Sequence, residues 1–507
     1  KAKRAYPNAE VVCGTLDDFY DELEKCDLSQ IPVITNDLAD TWIHGIGSYP
    51  REVSLLRSDR RYARTLHQQY LQCLLNGMPP IPEWDAMWKN YYENVALFEE
   101  HTWGADVKRW LGPNRVYEKE DFEKARHTEP YQFMERSWAE QRLRIEQADE
   151  TLNKISQLLP SVPQNKNRQP AEINYFRKNG IVIAKTNRFL VRFDPQTGFI
   201  DAIEDLQLRK IILKSRNGHG IFSYQYDRAG ILDIQEFLRS YGYRFTDWGI
   251  LDYGRSQYPE CEHLCFTPVF DGYSADPGTI TFQYHTDESS REYGDCRMIT
   301  LKISFPGDDS IEAELMLHDK QASPFIEAGS FIIPLAEDSH FLLGRPCAAI
   351  DPENQIQHCA NHSYYCLENE VIAAGKNVSV KVFPLDTPLM SIGTSGLYEY
   401  EADFPKDRAP ELWFNLYNNM WGTNFPQWIE GDFAYRILIK SAKPENETKL
   451  QPTDCNIPIE GIPKSLEIVT TSLENGILYL LLRDLSGKSD PQIINLPGKT
   501  LCMTDLW

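Results

Sequence analysis

The sequence predicts an α+β protein: a short α/β stretch, an antiparallel three-helix bundle and a large antiparallel β-sandwich. Three observations predict it. Apolar residues recur at steps of three and four from about residue 49 to 159. A Pro-, Asn- and Gln-rich break, PSVPQNKNRQPAE, follows at 160–172. Beyond it short strands with a period of two recur to the end, and helical patterning almost disappears.

Taken in order, the opening KAKRAYPNAEVVCGTLDDFYDELEK predicts a short strand at 9–13 and an acidic helix at 16–25. Pro50 suits a first helical turn, where its missing N–H would have no partner anyway. That helix should run to about Leu75 and stop at NGMPPIP, since Pro79, Pro80 and Pro82 cannot continue it. A second helix should start near Glu83 and carry Trp84, Trp88, Tyr91, Val95, Phe98, Thr102 and Ala105 on one stripe until Gly112-Pro113. A third should run from about Pro130 to Leu159. Its seam is Met134, Trp138, Gln141, Ile145, Ala148, Leu152, Ile155 and Leu159, with one polar position.

The period changes at GIVIAKTNRFLVRF, which with the turn DPQTG and FIDAIED reads as a hairpin. TITFQYH, MITLKISF, IEAELMLH, VSVKVFPL, FAYRILI, SLEIVTTS and GILYLLLRD continue it. The expected organisation is 1–34, a helical 35–159, a linker at 160–172 and a sandwich region at 173–507.

Composition narrows the partners. The 507 residues carry a formal charge of −22, which disfavours nucleic acid and anionic membrane. No run of 18 apolar residues occurs, and nothing in these residues reads as a signal peptide, so the compartment stays open. The 11 Trp and 26 Tyr supply flat apolar faces with polar edges, which suit sugars as well as a core. The 11 cysteines are irregularly spaced and outline no disulfide framework. Two groupings, Cys261/His263/Cys265 and Cys359/His362/Cys366, lack the C-x2-C spacing of a structural zinc site and read as packed strand residues. Asn361, Asn377 and Asn446 open N-x-S/T sequons, a number near chance for this length. Phosphate loops, H-E-x-x-H, G-x-S-x-G and H-x-H pairs are absent.

Four stretches go further. TNDLADTWIHGIGSYPREVSLLRSDRR (35–61), YYENVALFEEHTWGADVKRW (91–110), FLVRFDPQTGFIDAIEDLQLRK (189–210), and LDTPLMSIG (385–393) with FNLYNNMWGTNFPQW (414–428) stand in a specific order. In that order they resemble glycoside hydrolase family 38, the class II α-mannosidases, from the end of the barrel onward. The resemblance implies that 1–34 ends an α/β catalytic barrel. It implies a metal-dependent retaining exo-α-glycosidase acting on α-linked sugars of glycans or oligosaccharides. The nucleophile and acid/base would lie in a barrel outside these residues, so no catalytic residue is assigned here. A non-catalytic carbohydrate-binding or scaffold subunit is the alternative. The resemblance also implies a divalent metal, zinc by the chemistry of its ligands, and self-association into homo-oligomers.

Residue by residue, His101 falls on the family's metal-ligand position, with Glu100 as an acceptor for its ring N–H. Thr102 departs from the family's Asp. Trp42 and His44 would face the sugar at the barrel–bundle junction. Trp421 and Asn424 would reach towards it from a sandwich loop. By spacing alone each has a plainer reading: a stripe-edge histidine, a solvated glutamate, a junction tryptophan, a loop histidine, and a tight turn that needs Gly422 with Trp421 packed beneath it.

Overall fold

The computed structural model describes residues 1–160, 169–241, 255, 257–346, 348–444, 459–474, 477–485 and 493–496. The central part of the expected linker and the Asn446 sequon lie outside them. The chain forms two compact units, 1–37 and 38–507.

The first unit holds two helices, Ala2–Ala5 and Leu16–Leu23. Thr15 and Asp18 cap the second reciprocally. The strand expected at 9–13 does not form; Ala9 lies in a bend and 10–13 carry no regular structure. A strand needs a neighbouring edge for its N–H and C=O groups, and none stands among the described residues of this unit. Tyr6, Val12, Leu16, Phe19 and Val33 remain exposed.

In the larger unit the three expected helices run over Pro50–Leu75, Trp84–Phe98 and Glu129–Gln157. The third packs against both others. Its apolar seam, Met134, Trp138, Ile145, Ala148, Leu152 and Ile155, is buried, as are Trp84, Trp88, Tyr91, Val95 and Phe98 on the second. Burying each such side chain contributes about 1.5–3 kcal/mol.

The second helix is shorter than its stripe predicts. It stops at Phe98, and 99–106 form a loop before a short turn of helix at Val107–Trp110. Glu100 turns back on this loop, its Oε2 accepting from Thr102 N (2.8 Å) and its Oε1 from Thr102 Oγ1 (3.2 Å). Such local side-chain bonds compete with the helix ladder. Gly104 has φ +142, and a Cβ there would lie 2.6 Å from Trp138 Cδ1. Trp103 fills the space beneath, stacked on Tyr49 at 4.3 Å. Thr102 and Ala105 therefore lie in this loop and not on the helical stripe.

Among the described residues all pairings between the named strands are antiparallel. Asn174–Lys178 to Lys210–Lys214 form a five-stranded meander that contains the expected hairpin. A nine-stranded sheet centres on Ile311–Lys320 beside Gly431–Ala442. A six-stranded sheet centres on Glu327–Pro334 beside Glu411–Asn418. Ile311, Ala313, Leu315 and Leu317 alternate into the core, as a half-buried strand requires. Among the described residues the strands form no closed barrel.

Helices and sheets share a core on both sides of 160–172: Trp138, Leu152, Phe237, Met420 and Trp428 belong to one cluster. Arg57 of the first helix donates to three sandwich carbonyls, Pro384 (2.7 Å), Leu367 (3.1 Å) and Leu385 (3.3 Å). The late hairpin Leu466–Glu474/Ile477–Asp484 is tied to the helices by Trp84 Nε1, which donates to Thr471 O at 3.0 Å.

Candidate functional site

WIHGIGS folds as a 3-10 helix, Thr41–Ser48, because Asp40 caps it: Oδ1 accepts from Trp42 N at 3.1 Å. The segment is pressed onto the sandwich. Asn361 N donates to Ala39 O at 2.9 Å, and a Cβ at Gly47 would lie 2.0 Å from Asn418 Nδ2. Glycine is needed there for close approach.

The tight helix turns Trp42 outward and His44 inward. Trp42 is 42% exposed, whereas His44 is fully buried. The Trp42 ring lies 5.3 Å from that of Trp421 and 5.7 Å from that of His101. His44 meets Tyr364 edge-on at 4.5 Å and stands 6.4 Å from Trp421. Four residues singled out from three stretches of sequence thus gather in one place. Burial holds the His44 imidazole neutral, pushing it down to about 3. Neither of its ring nitrogens has a hydrogen-bond partner among the described residues.

His101 sits on the loop and is solvent-exposed, with Nδ1 2.7 Å from Glu100 Oε1. That contact leaves Nε2 as the outward nitrogen. No set of three His, Cys or carboxylate donors that includes His101 gathers among the described residues. Among the described residues no second and third donor join His101, so a metal at that point would need its other ligands from elsewhere.

Trp421 is buried, with 2% exposure, so an exposed aromatic on the NNMWGTNF turn is not observed. Asn424 is also buried. Its Oδ1 accepts from Thr423 Oγ1 (2.8 Å) and its main-chain O from Trp138 Nε1 (3.0 Å), so it joins the loop to the third helix.

Tyr241, at the end of the helix Ile231–Ser240, was not legible as part of this group. Its ring is 6.4 Å from Trp421 and 5.4 Å from Tyr400, and its hydroxyl reaches Asp40 Oδ1 at 3.5 Å. No local pattern marks it; only the tertiary fold brings it beside WIHGIG.

The described residues gather one three-residue donor set, Asp227, His263 and Cys265, which does not include His101. The expectation of packed strand residues fails for His263 and Cys265, which are solvent-exposed, His263 preceding the strand Leu264–Phe266.

A family model described as a domain of unknown function (DUF5054) matches residues 60–313, half of the chain. No curated protein matches. Among solved structures, an α-mannosidase from Enterococcus faecalis is similar with a TM-score of 0.50 at 9% identity, over 88% of this chain and 61% of its own. A glycosyl hydrolase family 38 protein from the same species gives 0.47 at 9% identity, over 88% and 62%. A galactose 1-epimerase from Lactobacillus acidophilus gives 0.33 at 9% identity, over 54% and 99%. The first likeness is one of fold, and the chain spans about six tenths of that α-mannosidase's length.

Proposed function

The chain belongs to the family described as a domain of unknown function, DUF5054, and from that premise we propose that it is the helical and sandwich portion of an α-mannosidase-like glycosidase. The observation that carries the proposal is the convergence of Trp42, His44, His101 and Trp421 in a chain whose fold resembles that α-mannosidase. Trp42 offers an exposed indole face to a sugar ring, and buried Trp421 backs it. His44, buried and neutral, contributes shape and orientation rather than charge.

In this reading a retaining exo-α-glycosidase takes its nucleophile and its acid/base from a barrel that these residues do not include. The exposed apolar side chains of 1–37 are consistent with a further protein surface against that unit. His101 would contribute Nε2 to a divalent cation, zinc by ligand chemistry, with Glu100 fixing the ring. A bound cation would supply a grip on sugar hydroxyls. Homo-oligomerisation belongs to the same proposal.

The test uses the full-length protein and a set of aryl α-glycosides. Turnover of an α-mannoside that falls on exhaustive chelation and returns with zinc is expected. His101→Ala should lower metal content along with turnover. Turnover untouched by chelation would remove the metal from the proposal. Oligosaccharide binding without turnover of any glycoside would favour the non-catalytic reading.

A further inference from the structure

We propose that Asp227, His263 and Cys265 form a zinc-type divalent-cation site at the edge of the six-stranded sheet, separate from His101 and independent of the glycosidase reading. Strand register creates it. Ser223–Arg228 pairs with the edge strand Leu264–Phe266 so that Asp227 stands directly opposite Cys265. His263 immediately precedes that edge strand. Asp227 Oδ1 is 3.1 Å from His263 Nε2 and 3.0 Å from Cys265 Sγ. Bonds of about 2.0–2.3 Å would set tetrahedral neighbours about 3.3–3.6 Å apart, so closure around a cation needs shifts of a few tenths of an ångström.

Two further observations describe how the donors are held. The first is Asp233, whose Oδ2 lies 2.9 Å from His263 Nδ1. Asp233 Oδ2 also accepts from Gly230 N at 2.7 Å, so the carboxylate is itself anchored at a helix start. A carboxylate on the far nitrogen fixes the ring and directs the other nitrogen at a metal, as in carboxylate–histidine–zinc arrangements. The second is Asp227. It is only 1% exposed, yet its ion pairing among the described residues is with His263 alone. Gln225 Nε2 donates to both of its oxygens, at 2.9 and 3.1 Å. The His263 ring, held between the Asp227 and Asp233 carboxylates, is the cationic partner of this buried carboxylate without a metal; a bound divalent cation would take over that place.

The donor set is one carboxylate oxygen, one imidazole nitrogen and one thiolate, which suits zinc better than calcium or magnesium. Binding replaces any proton on Nε2 and the proton on Sγ, both released to solvent. His263 and Cys265 face outward, so a fourth position stays open to water or to a small anionic or neutral ligand.

The experiment strips the full-length protein of metal and titrates it with Co2+. One equivalent with a thiolate-to-cobalt charge-transfer band is expected. Cys265→Ser should abolish the band while leaving circular dichroism unchanged, and Asp233→Asn should weaken binding about 10- to 100-fold. As a second measure, Zn2+ should protect Cys265 of the unmodified protein from alkylation, read by peptide mass spectrometry. No band in the parent, a band that survives in Cys265→Ser, or alkylation of Cys265 indifferent to Zn2+ would each overturn the site. Because His101 is untouched throughout, loss of glycosidase activity in His101→Ala bears only on the earlier proposal.

Discussion

The indole of Trp42 packs 5.3 Å from the indole of Trp421, one on a junction helix and the other on a sandwich loop. The first is 42% exposed and the second 2%, so a single contact joins a surface face to the core. That division separates binding from stability. Trp42→Ala should leave the unfolding midpoint nearly unchanged while weakening oligosaccharide binding by roughly tenfold or more, since one stacked aromatic contributes about 1.5 kcal/mol. Trp421→Ala should cost about 3–5 kcal/mol in denaturant unfolding, as other buried Trp truncations do. Equal loss of stability in the two variants would contradict the arrangement.

Acid should weaken the fold through His44 and His67. Both are buried, and burial pushes each down to about 3. The unfolded chain takes up protons below its ordinary value of 6.5, while the folded one does not until about 3. Stability is therefore present above 6.5 and lost as pH falls towards 3, at about 1.4 kcal/mol per pH unit for each histidine. His44→Leu should reduce that slope between pH 6 and 4 in urea melts. An unchanged slope would mean that His44 is protonated in the native state.

Alkali should act oppositely through Asp59, on the first long helix. Burial, and next the Asp149 carboxylate, raise it from 3.8 to about 7. Its contribution is complete below pH 3.8 and is lost as pH rises through about 7. Asp59→Asn keeps the shape and never ionises, so it should be more stable than the parent at pH 8 and similar to it near pH 4. Thermal melts at the two values check this; a variant less stable at pH 8 would refute it.

Lys320 and Glu327 form an ion pair at 2.8 Å with both side chains wholly buried, and Tyr226 donates to the same carboxylate at 2.7 Å. Removing one partner should cost about 3–5 kcal/mol, because it leaves a buried charge uncompensated. Lys320→Met should show that loss in denaturant unfolding. Lys320→Met combined with Glu327→Gln should recover a large part of it. A double variant no better than the single would mean that packing, not charge, dominates here.

How far the site was legible varies by residue. Periodicity alone foretold which faces of the three helices are buried, down to Met134, Trp138 and Ile155. It misjudged the helix around His101, because Glu100 bonding back to Thr102 and the positive φ of Gly104 are local devices that a stripe of apolar residues does not reveal. The stretches holding Trp42 and Trp421 could be picked out separately, but not their contact. Tyr241 and Asp227 carried no signal, since what matters about them is a neighbour far away in sequence.

The sequence by itself determined the order of helical and strand regions, where the first long helix begins and ends against proline, and the kind of surface a charge of −22 presents. Those are matters of period, backbone restriction and net charge, which act over a few residues or over the whole chain. Only the tertiary structure decided that His44 is sealed from solvent, that Trp421 lies beneath Trp42, and that Asp227 faces Cys265. Each depends on strand register and on loops closing across hundreds of residues, where a one-residue slip would turn a side chain to the opposite face.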